Sequence, residues 1–273
     1  MIPASFDYEV AASVDDAIQL LREDGEAKLL AGGHSLLPLM RLRFARPSRL
    51  VDIGRLSDLS YVKEAGDSVA IGALTRHHDL ATSGLLKEQC PIVAYAAAQV
   101  GDPQVRHRGT IGGSVAHGDP ASGLPTVLLA LDADFVVRGP EGEKTLGAGG
   151  FFTGFMETAL GPQDVLTEIR VPKIVGGCSY VKFNRRAQDW ATVGVAAIVS
   201  EGSAKIALTN MGPTPVRASA AEAVFVSGGD PAAVAAKVPE GTSPPSDTNG
   251  SAEYRRHLAT VLTRRALEKA LGR

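Results

Sequence analysis

Cysteine is scarce in this sequence, and its scarcity excludes several kinds of metal site. The chain of 273 residues contains two cysteines, Cys90 and Cys178, which lie far apart and belong to no CxxC pair. An iron–sulfur cluster normally requires four thiolate ligands, so the chain cannot hold one by itself. A structural zinc site lacks ligands for the same reason. Both cysteines are therefore predicted to be reduced and packed in the interior.

The sequence also lacks the features of membrane, secreted and nucleic-acid-binding proteins. No apolar run reaches the roughly 20 residues that a membrane helix needs, so we expect no membrane span. The N-terminus lacks the basic start and apolar stretch of a signal peptide, so we expect a cytoplasmic location. A formal net charge of −2 provides no basic field, so we expect no nucleic-acid partner.

Four common nucleotide-binding or catalytic motifs are missing as well. The Rossmann fingerprint G-x-G-x-x-G and the P-loop G-x-x-x-x-G-K-[ST] are absent, as are G-x-S-x-G and H-E-x-x-H. A bound nucleotide would therefore be held by a different kind of binding motif. Hydrophobic residues make up 44% of the chain, which is enough for a well-buried globular core.

Two glycine-containing segments are present, and both are candidates for binding an anion. The first glycine segment consists of Leu30, Ala31, Gly32, Gly33, His34, Ser35 and Leu36, and the second of Thr110, Ile111, Gly112, Gly113 and Ser114. Glycine lets the backbone take conformations that a side chain forbids and lets a ligand approach closely. Successive amides in such loops converge on anions. Together the two segments could clamp the two halves of a pyrophosphate.

Each segment alone is weak evidence for a site. A single Gly-Gly pair more often marks a tight turn, and the chain has other pairs at 176–177 and 228–229. His34 and His117 lie beside the two segments. A lone histidine is more often a hydrogen-bonded structural residue than an acid–base catalyst, so neither is assigned a catalytic role.

Hydrophobic periodicity and turn signals predict a mixture of helices and strands. In the first part of the chain we expect a helix capped by Ser13 and stopped near Gly25, a helix over 36–44, a short helix capped by Thr75, helices over 92–100 and 124–131, and strands over 28–31, 49–53, 62–64, 68–71, 134–138 and 165–171. Beyond residue 176 we expect strands over 179–184, 196–200 and 205–209 and helices over 218–226, 231–238 and 252–271.

Four stretches occur in an order that resembles one known family. They are Ala31-Gly32-Gly33-His34-Ser35-Leu36-Leu37-Pro38, Asp102-Pro103-Gln104-Val105-Arg106, Thr110-Ile111-Gly112-Gly113-Ser114 and Lys182-Phe183-Asn184-Arg185-Arg186. Together with Ser251-Ala252-Glu253-Tyr254-Arg255-Arg256, they resemble the FAD-binding medium subunit of the carbon monoxide dehydrogenase and xanthine dehydrogenase family of molybdenum hydroxylases. The resemblance covers nearly the whole chain.

The resemblance implies a fold and a division into domains. The implied fold class is α+β, with a two-lobed FAD-binding region of the vanillyl-alcohol-oxidase (PCMH) type followed by a smaller C-terminal α/β domain. The FAD-binding domain would cover residues 1–176, with subdomains of about 1–55 and 56–176. The C-terminal domain would cover residues 177–273.

The resemblance also implies which residues contact the cofactor. The two glycine segments would hold the FAD pyrophosphate, Val100 and Leu166 would make apolar contacts, and Lys182 would reach the cofactor. In the family an aspartate that binds the ribose commonly stands where this chain has Gly123. Either Asp119 or a water could substitute for that missing carboxylate, so Asp119 is included among the cofactor-binding candidates.

The function that the resemblance implies is electron transfer within a complex. A large subunit with a molybdenum cofactor would oxidise the substrate, and a small subunit with 2Fe-2S clusters would pass electrons to the FAD held here and on to an external acceptor. The expected assembly is a dimer of heterotrimers. No catalytic or metal-ligating residue is assigned in this chain. Two alternatives remain open: a self-sufficient FAD-dependent oxidoreductase of the same fold, and a flavin-free scaffold subunit.

Overall fold

The computed structural model describes residues 2–272. Met1 and Arg273, the end residues of the two predicted domains, therefore lie outside the described residues. Within residues 2–272 the strands are β1 (Asp7–Val10), β2 (Lys28–Leu30), β3 (Arg49–Asp52), β4 (Val62–Ala65), β5 (Ser68–Gly72), β6 (Asp134–Gly139), β7 (Gly142–Gly147), β8 (Phe152–Gly154), β9 (Glu157–Thr158), β10 (Val165–Pro172), β11 (Gly177–Phe183), β12 (Val193–Ser200), β13 (Ser203–Thr209) and β14 (Val216–Arg217).

The helices of the same residues are mostly short. They are α1 (Val14–Glu23), α2 (Leu36–Arg41), α3 (His77–Thr82), α4 (Gly84–Gln89), α5 (Pro91–Ala98), α6 (Pro103–Arg108), α7 (Ile111–His117), α8 (Gly123–Ala130), α9 (Ala148–Phe151), α10 (Ser219–Val226), α11 (Pro231–Ala236) and α12 (Ala252–Ala270). No helix within residues 2–272 is long and apolar enough to cross a membrane.

Three sheets organise the chain. The first is parallel, with strand order β1-β3-β2, and it carries the first glycine segment directly after β2. The second is antiparallel, with order β4-β5-β10-β6-β7. The third is the antiparallel sheet β11-β12-β13-β14. A two-stranded pair, β8-β9, lies apart from these sheets.

Local sequence explains why α1 forms where it was predicted. The hydroxyl of Ser13 accepts a hydrogen bond from the amide of Asp16 at 3.0 Å, which satisfies one free donor of the first turn. Val14, Ala17, Ile18 and Leu21 form one buried face of the helix. The predicted strands over 62–64 and 68–71 are also confirmed, and they pair as the antiparallel hairpin of β4 and β5.

Two predictions about elements are wrong, and several elements were not predicted. The second glycine segment is not a loop, because Thr110 caps α7 and the following residues are helical. Thr75 does not cap a helix, because its hydroxyl bonds the backbone of Tyr61 and α3 begins two residues later. The first strand, β1, and the edge strand β7 were missed; β7 is exposed along most of its length, so its sequence lacks apolar alternation.

The largest hydrophobic core is shared between the second and third sheets. Its buried residues come from β5, β6 and β10, from α5 and α8, and from Tyr180 and Ala196 of the third sheet. Cys90 lies in this core and Cys178 packs against it; both are free thiols, as predicted. The helix α12 and the other face of the third sheet form a separate core.

Candidate cofactor site

A cavity of about 800 Å³ lies between the glycine segments and the third sheet. It brings together residues that are far apart in sequence. The predicted residues that line it are Leu30, Ala31, Gly32, Gly33, His34, Ser35, Leu36, Val100, Thr110, Gly112, Gly113, Ser114, Asp119, Leu166 and Lys182. Ile111 is the exception, because its side chain is fully buried in the largest core.

The first glycine segment turns sharply between β2 and α2. Gly33 has a φ of +76°, in the left-handed region where a side chain is strained. Gly32 has a different reason to be glycine: a Cβ there would lie 2.3 Å from the carbonyl oxygen of Arg108. Ser35 occupies the N-cap position of α2 but makes no capping bond through its side chain. The hydroxyl of Ser35 is therefore free to bind a ligand.

The second glycine segment forms the first turn of α7. The Thr110 hydroxyl accepts a hydrogen bond from the Gly113 amide at 3.1 Å. A Cβ on Gly112 would lie 2.6 Å from the Cβ of Ala73, so this glycine allows α7 to pack closely. A Cβ on Gly113 would lie 2.8 Å from the Thr110 hydroxyl oxygen, closer than an ordinary contact, and Gly113 also borders the cavity. Ser114 shares a 3.0 Å hydrogen bond with Ser122.

The remaining predicted residues form other parts of the wall. Lys182 is half-buried and donates from Nζ to the carbonyl oxygen of Gln99 at 3.3 Å. Burial lowers the pKa of Lys182, and the charge of Asp189 partly opposes that shift. One oxygen of Asp119 accepts from the Ala121 amide at 2.8 Å, so this carboxylate helps to hold its own turn.

The structure explains why position 123 is a glycine and not the aspartate that is common in the family. Gly123 is the first residue of α8, and a Cβ there would lie 2.3 Å from the hydroxyl oxygen of Tyr180. Gly194 faces the same hydroxyl at 2.7 Å from its own Cβ position. The phenol of Tyr180 is thus held between two glycines and lines the cavity. Burial raises the pKa of Tyr180 to about 12, so the phenol stays protonated.

Sequence reasoning missed several residues of the wall, among them His77, Gln99, Tyr180 and Trp190. His77 and Tyr180 are buried, whereas the Trp190 side chain is 58% exposed. No motif pointed to these residues, since they reach the cavity only through the packing of α3, α5 and the third sheet. The one signal in the sequence was that Trp190, the single tryptophan of the chain, lies close to the stretch from Lys182 to Arg186.

The residues present fit a dinucleotide such as FAD. The cavity volume lies within the range of small-molecule and cofactor sites. The open side of Gly113, the free Ser35 hydroxyl and the Lys182 cation supply space, a hydrogen-bonding group and positive charge. The aromatic ring of Trp190 adds a flat apolar surface.

Comparison with known families gives two matches along this chain. Residues 4–174 match a model described as the FAD binding domain in molybdopterin dehydrogenase. Residues 178–270 match a model described as the CO dehydrogenase flavoprotein C-terminal domain. These matches confirm the predicted fold class, a FAD-binding region followed by a smaller C-terminal domain.

Individual relatives match over nearly their whole length. The carbon monoxide dehydrogenase medium chain of Hydrogenophaga pseudoflava is 41% identical, with 100% of this chain and 99% of the relative covered. The 6-hydroxypseudooxynicotine dehydrogenase complex subunit alpha of Paenarthrobacter nicotinovorans is 40% identical, with 100% and 97% covered.

A solved structure gives the same result. It is the Hydrogenophaga pseudoflava carbon monoxide dehydrogenase that lacks the Mo-pyranopterin moiety, which is similar with a TM-score of 0.96 and 43% identity. The match covers 100% of this chain and 99% of that one. This chain therefore belongs to the family of FAD-binding medium subunits of molybdenum hydroxylases, the family of carbon monoxide dehydrogenase and xanthine dehydrogenase.

Proposed function

We propose that this chain binds FAD in the cavity described above, with the diphosphate against the two glycine segments. The observation that carries the proposal is the convergence of three separate stretches on one cavity of about 800 Å³. Those stretches are the two glycine segments and the strand that contains Lys182. Ile111 would contribute through its backbone, because its side chain is buried in the core.

The chain's own residues would hold and orient the cofactor, and FAD would supply the redox chemistry. Val100 and Leu166 offer apolar contacts, and Lys182 offers a cation in the same cavity. Asp119 keeps one carboxylate oxygen available after its bond to Ala121. These groups come from both sides of residue 176, the proposed boundary between a FAD-binding domain of residues 1–176 and a C-terminal domain of residues 177–273. Within the first domain, the proposed subdomains are about 1–55 and 56–176.

The proposed activity is electron transfer within a larger assembly. A molybdenum-cofactor large subunit would oxidise the substrate, and a 2Fe-2S small subunit would deliver the electrons to this chain. The names of several relatives, which are medium chains or subunits of dehydrogenase complexes, support this arrangement. A dimer of heterotrimers and a cytoplasmic location stay predictions from the sequence.

Substrate choice is proposed to lie outside this chain. The carbon monoxide dehydrogenase medium chain and the 6-hydroxypseudooxynicotine dehydrogenase subunit match it at 41% and 40% identity. Relatives whose names give such different substrates are thus almost equally similar. The similarity therefore supports a common flavin function and carries no information on the substrate.

Anaerobic flavin bleaching tests this proposal. The chain by itself should bind FAD, and dithionite should reduce that FAD, whereas carbon monoxide, purines and aldehydes should not. Adding the iron–sulfur and molybdenum subunits should restore substrate-dependent bleaching. If the chain alone bleached with one of these substrates at catalytic rates, it would be a self-sufficient oxidoreductase.

A pair of glycine variants locates the site in the same assay. Gly113→Val fills space beside the cavity, so FAD affinity should fall at least tenfold. Gly149→Val is the matched control, since this helical glycine has no atom near its Cβ position. Equal affinity in the two variants would remove the second glycine segment from the site.

A further inference from the structure

His77 is a buried histidine to which the proposed function assigns no task. It is the first residue of α3, its side chain is only 4% exposed, and it lines the cavity. The next residue, His78, points elsewhere: its ring stacks on that of His107 with 4.0 Å between centroids. The two neighbouring histidines therefore have different surroundings, which makes them a matched pair for experiment.

The imidazole of His77 lies where the two glycine segments meet. Its backbone amide donates to the Gly109 carbonyl at 3.0 Å, and a Cβ on Gly109 would lie 3.0 Å from the ring's Nε2. Gly109 in turn touches the first segment, because a Cβ on Gly32 would lie 2.8 Å from its Cα. Gly109 thus leaves space for the ring of His77, and Gly32 lets the first segment pack against Gly109, so the ring lies next to both segments.

The ring has unused hydrogen-bonding capacity. Nδ1 is buried, has no hydrogen-bond partner among residues 2–272 and is closed to the cavity as well. Nε2 lies beside Gly109 and is the nitrogen that remains for a ligand. Burial, and then the charges of His34, Arg76 and Arg106, lower the pKa of His77 to about 4. The ring is therefore neutral at pH 7, with one N–H donor.

The surroundings of the ring favour an anion. Arg76 and Arg106 both act on His77, and neither forms an ion pair with a carboxylate in the part of the chain that the structure describes. Arg106 donates instead to the carbonyl oxygens of Val100 and Gly101. Neither arginine lines the cavity, so their charges would act on a bound anion at a distance, whereas the acceptor oxygens of that anion would meet the ring itself.

We propose that His77 is a further cofactor-binding residue, whose imidazole hydrogen-bonds a phosphate oxygen of the dinucleotide where the two glycine segments meet. The inference rests on the proposed function, because it requires the dinucleotide to occupy this cavity. Phosphate oxygens only accept hydrogen bonds, so the neutral ring donates from Nε2–H. A bound diphosphate also adds negative charge beside the ring and raises its pKa.

Binding of FAD and of ADP tests the proposal in the protein as purified, including any subunits that co-purify. ADP carries the diphosphate without the flavin. His77→Leu should lower the affinity for both ligands at least tenfold, whereas His77→Gln, which keeps a donor, should stay within about threefold of wild type. The control His78→Leu should leave both affinities unchanged.

An NMR titration gives a readout that a purely structural role would not change. The Cε1–H resonance of His77 is identified as the one that disappears in His77→Gln. The pKa that this resonance reports should be higher with ADP bound than without it. This measurement uses the wild-type chain, so it decides the question even if His77→Leu does not fold. An unmoved His77 titration, or unchanged affinities in a folded His77→Leu, would overturn the inference. Failure of the wild type to bind FAD would instead overturn the proposed function on which it rests.

Discussion

At the scale of single residues, the glycines of the two segments differ in what a side chain would meet. Gly32 and Gly112 face protein atoms at 2.3 Å and 2.6 Å, so they allow close packing. Gly33 is needed for its backbone conformation, with a φ of +76°. Gly113 borders the cavity. The sequence predicted the importance of these glycines, but it could not assign their separate roles, because each role depends on a distant neighbour.

The contact between Gly123 and Tyr180 predicts the result of a substitution. Gly123→Ala would bring a methyl group to about 2.3 Å from the Tyr180 hydroxyl oxygen, so the free energy of unfolding should fall by about 1–3 kcal/mol. An aspartate at position 123 would carry the same Cβ atom and would clash with the same Tyr180 hydroxyl. Adding Tyr180→Leu should recover most of the loss, which a double-mutant cycle measures.

Gly84→Ala is the control for this cycle. Gly84 is also the first residue of a helix, and no atom lies within 4 Å of its Cβ position. An equal loss of stability in Gly84→Ala and Gly123→Ala would show that Tyr180 is not the cause.

His77 also predicts a pH dependence of stability. Burial lowers its pKa from 6.5 to about 4 in the folded chain, so the unfolded chain takes up the proton first as the pH falls. The free energy of unfolding should therefore decrease between pH 6.5 and about pH 4, by up to about 3 kcal/mol. Urea unfolding of wild type and His77→Gln should show this decrease as a difference between the two curves, because the other titrating groups are common to both proteins. Parallel curves in that pH range would show that His77 titrates normally.

At the scale of elements, patterns that are local in sequence were predictable. The cap and apolar face of α1, the β4–β5 hairpin and the start of α2 at residue 36 all follow from neighbouring residues. The α2 helix ends at Arg41, earlier than predicted, and Arg43 then takes a positive φ of 63°. The helical form of the second glycine segment was not predictable from glycine content, because the Thr110 cap and the contact with Ala73 stabilise it.

Thr110 offers a test at this scale. Thr110→Val keeps the size of the side chain but removes the oxygen that accepts from the Gly113 amide. We expect the free energy of unfolding to fall by about 0.5–2 kcal/mol. Thr110→Ser retains a capping hydroxyl and should lose clearly less. Urea denaturation distinguishes the two, and equal losses would mean that methyl packing, not the cap, stabilises α7.

At the scale of the whole molecule, the cavity depends on how the third sheet packs against the rest of the chain. Arg217 on β14 bonds the carboxylate of Asp132 at 2.6 Å and the Leu129 carbonyl at 3.1 Å. Lys205 reaches the same carboxylate at 2.6 Å. These contacts, and the shared hydrophobic core, hold Lys182 and Tyr180 in the cavity wall. The sequence indicated neither the contacts nor Tyr180, since both arise between residues that are far apart along the chain.

The two packed thiols allow transient opening of the junction between the third sheet and the rest of the chain to be measured by chemical labelling. Cys90 precedes α5 and is fully buried, and burial raises its pKa to about 12, so it should not react with a thiol reagent while the chain stays closed. Its labelling rate therefore counts transient openings. Cys178, on β11, is only partly buried and should be modified sooner. If FAD links the walls of its cavity, saturating FAD should lengthen the labelling time of Cys90; an unaltered time would mean that the junction opens independently of the flavin.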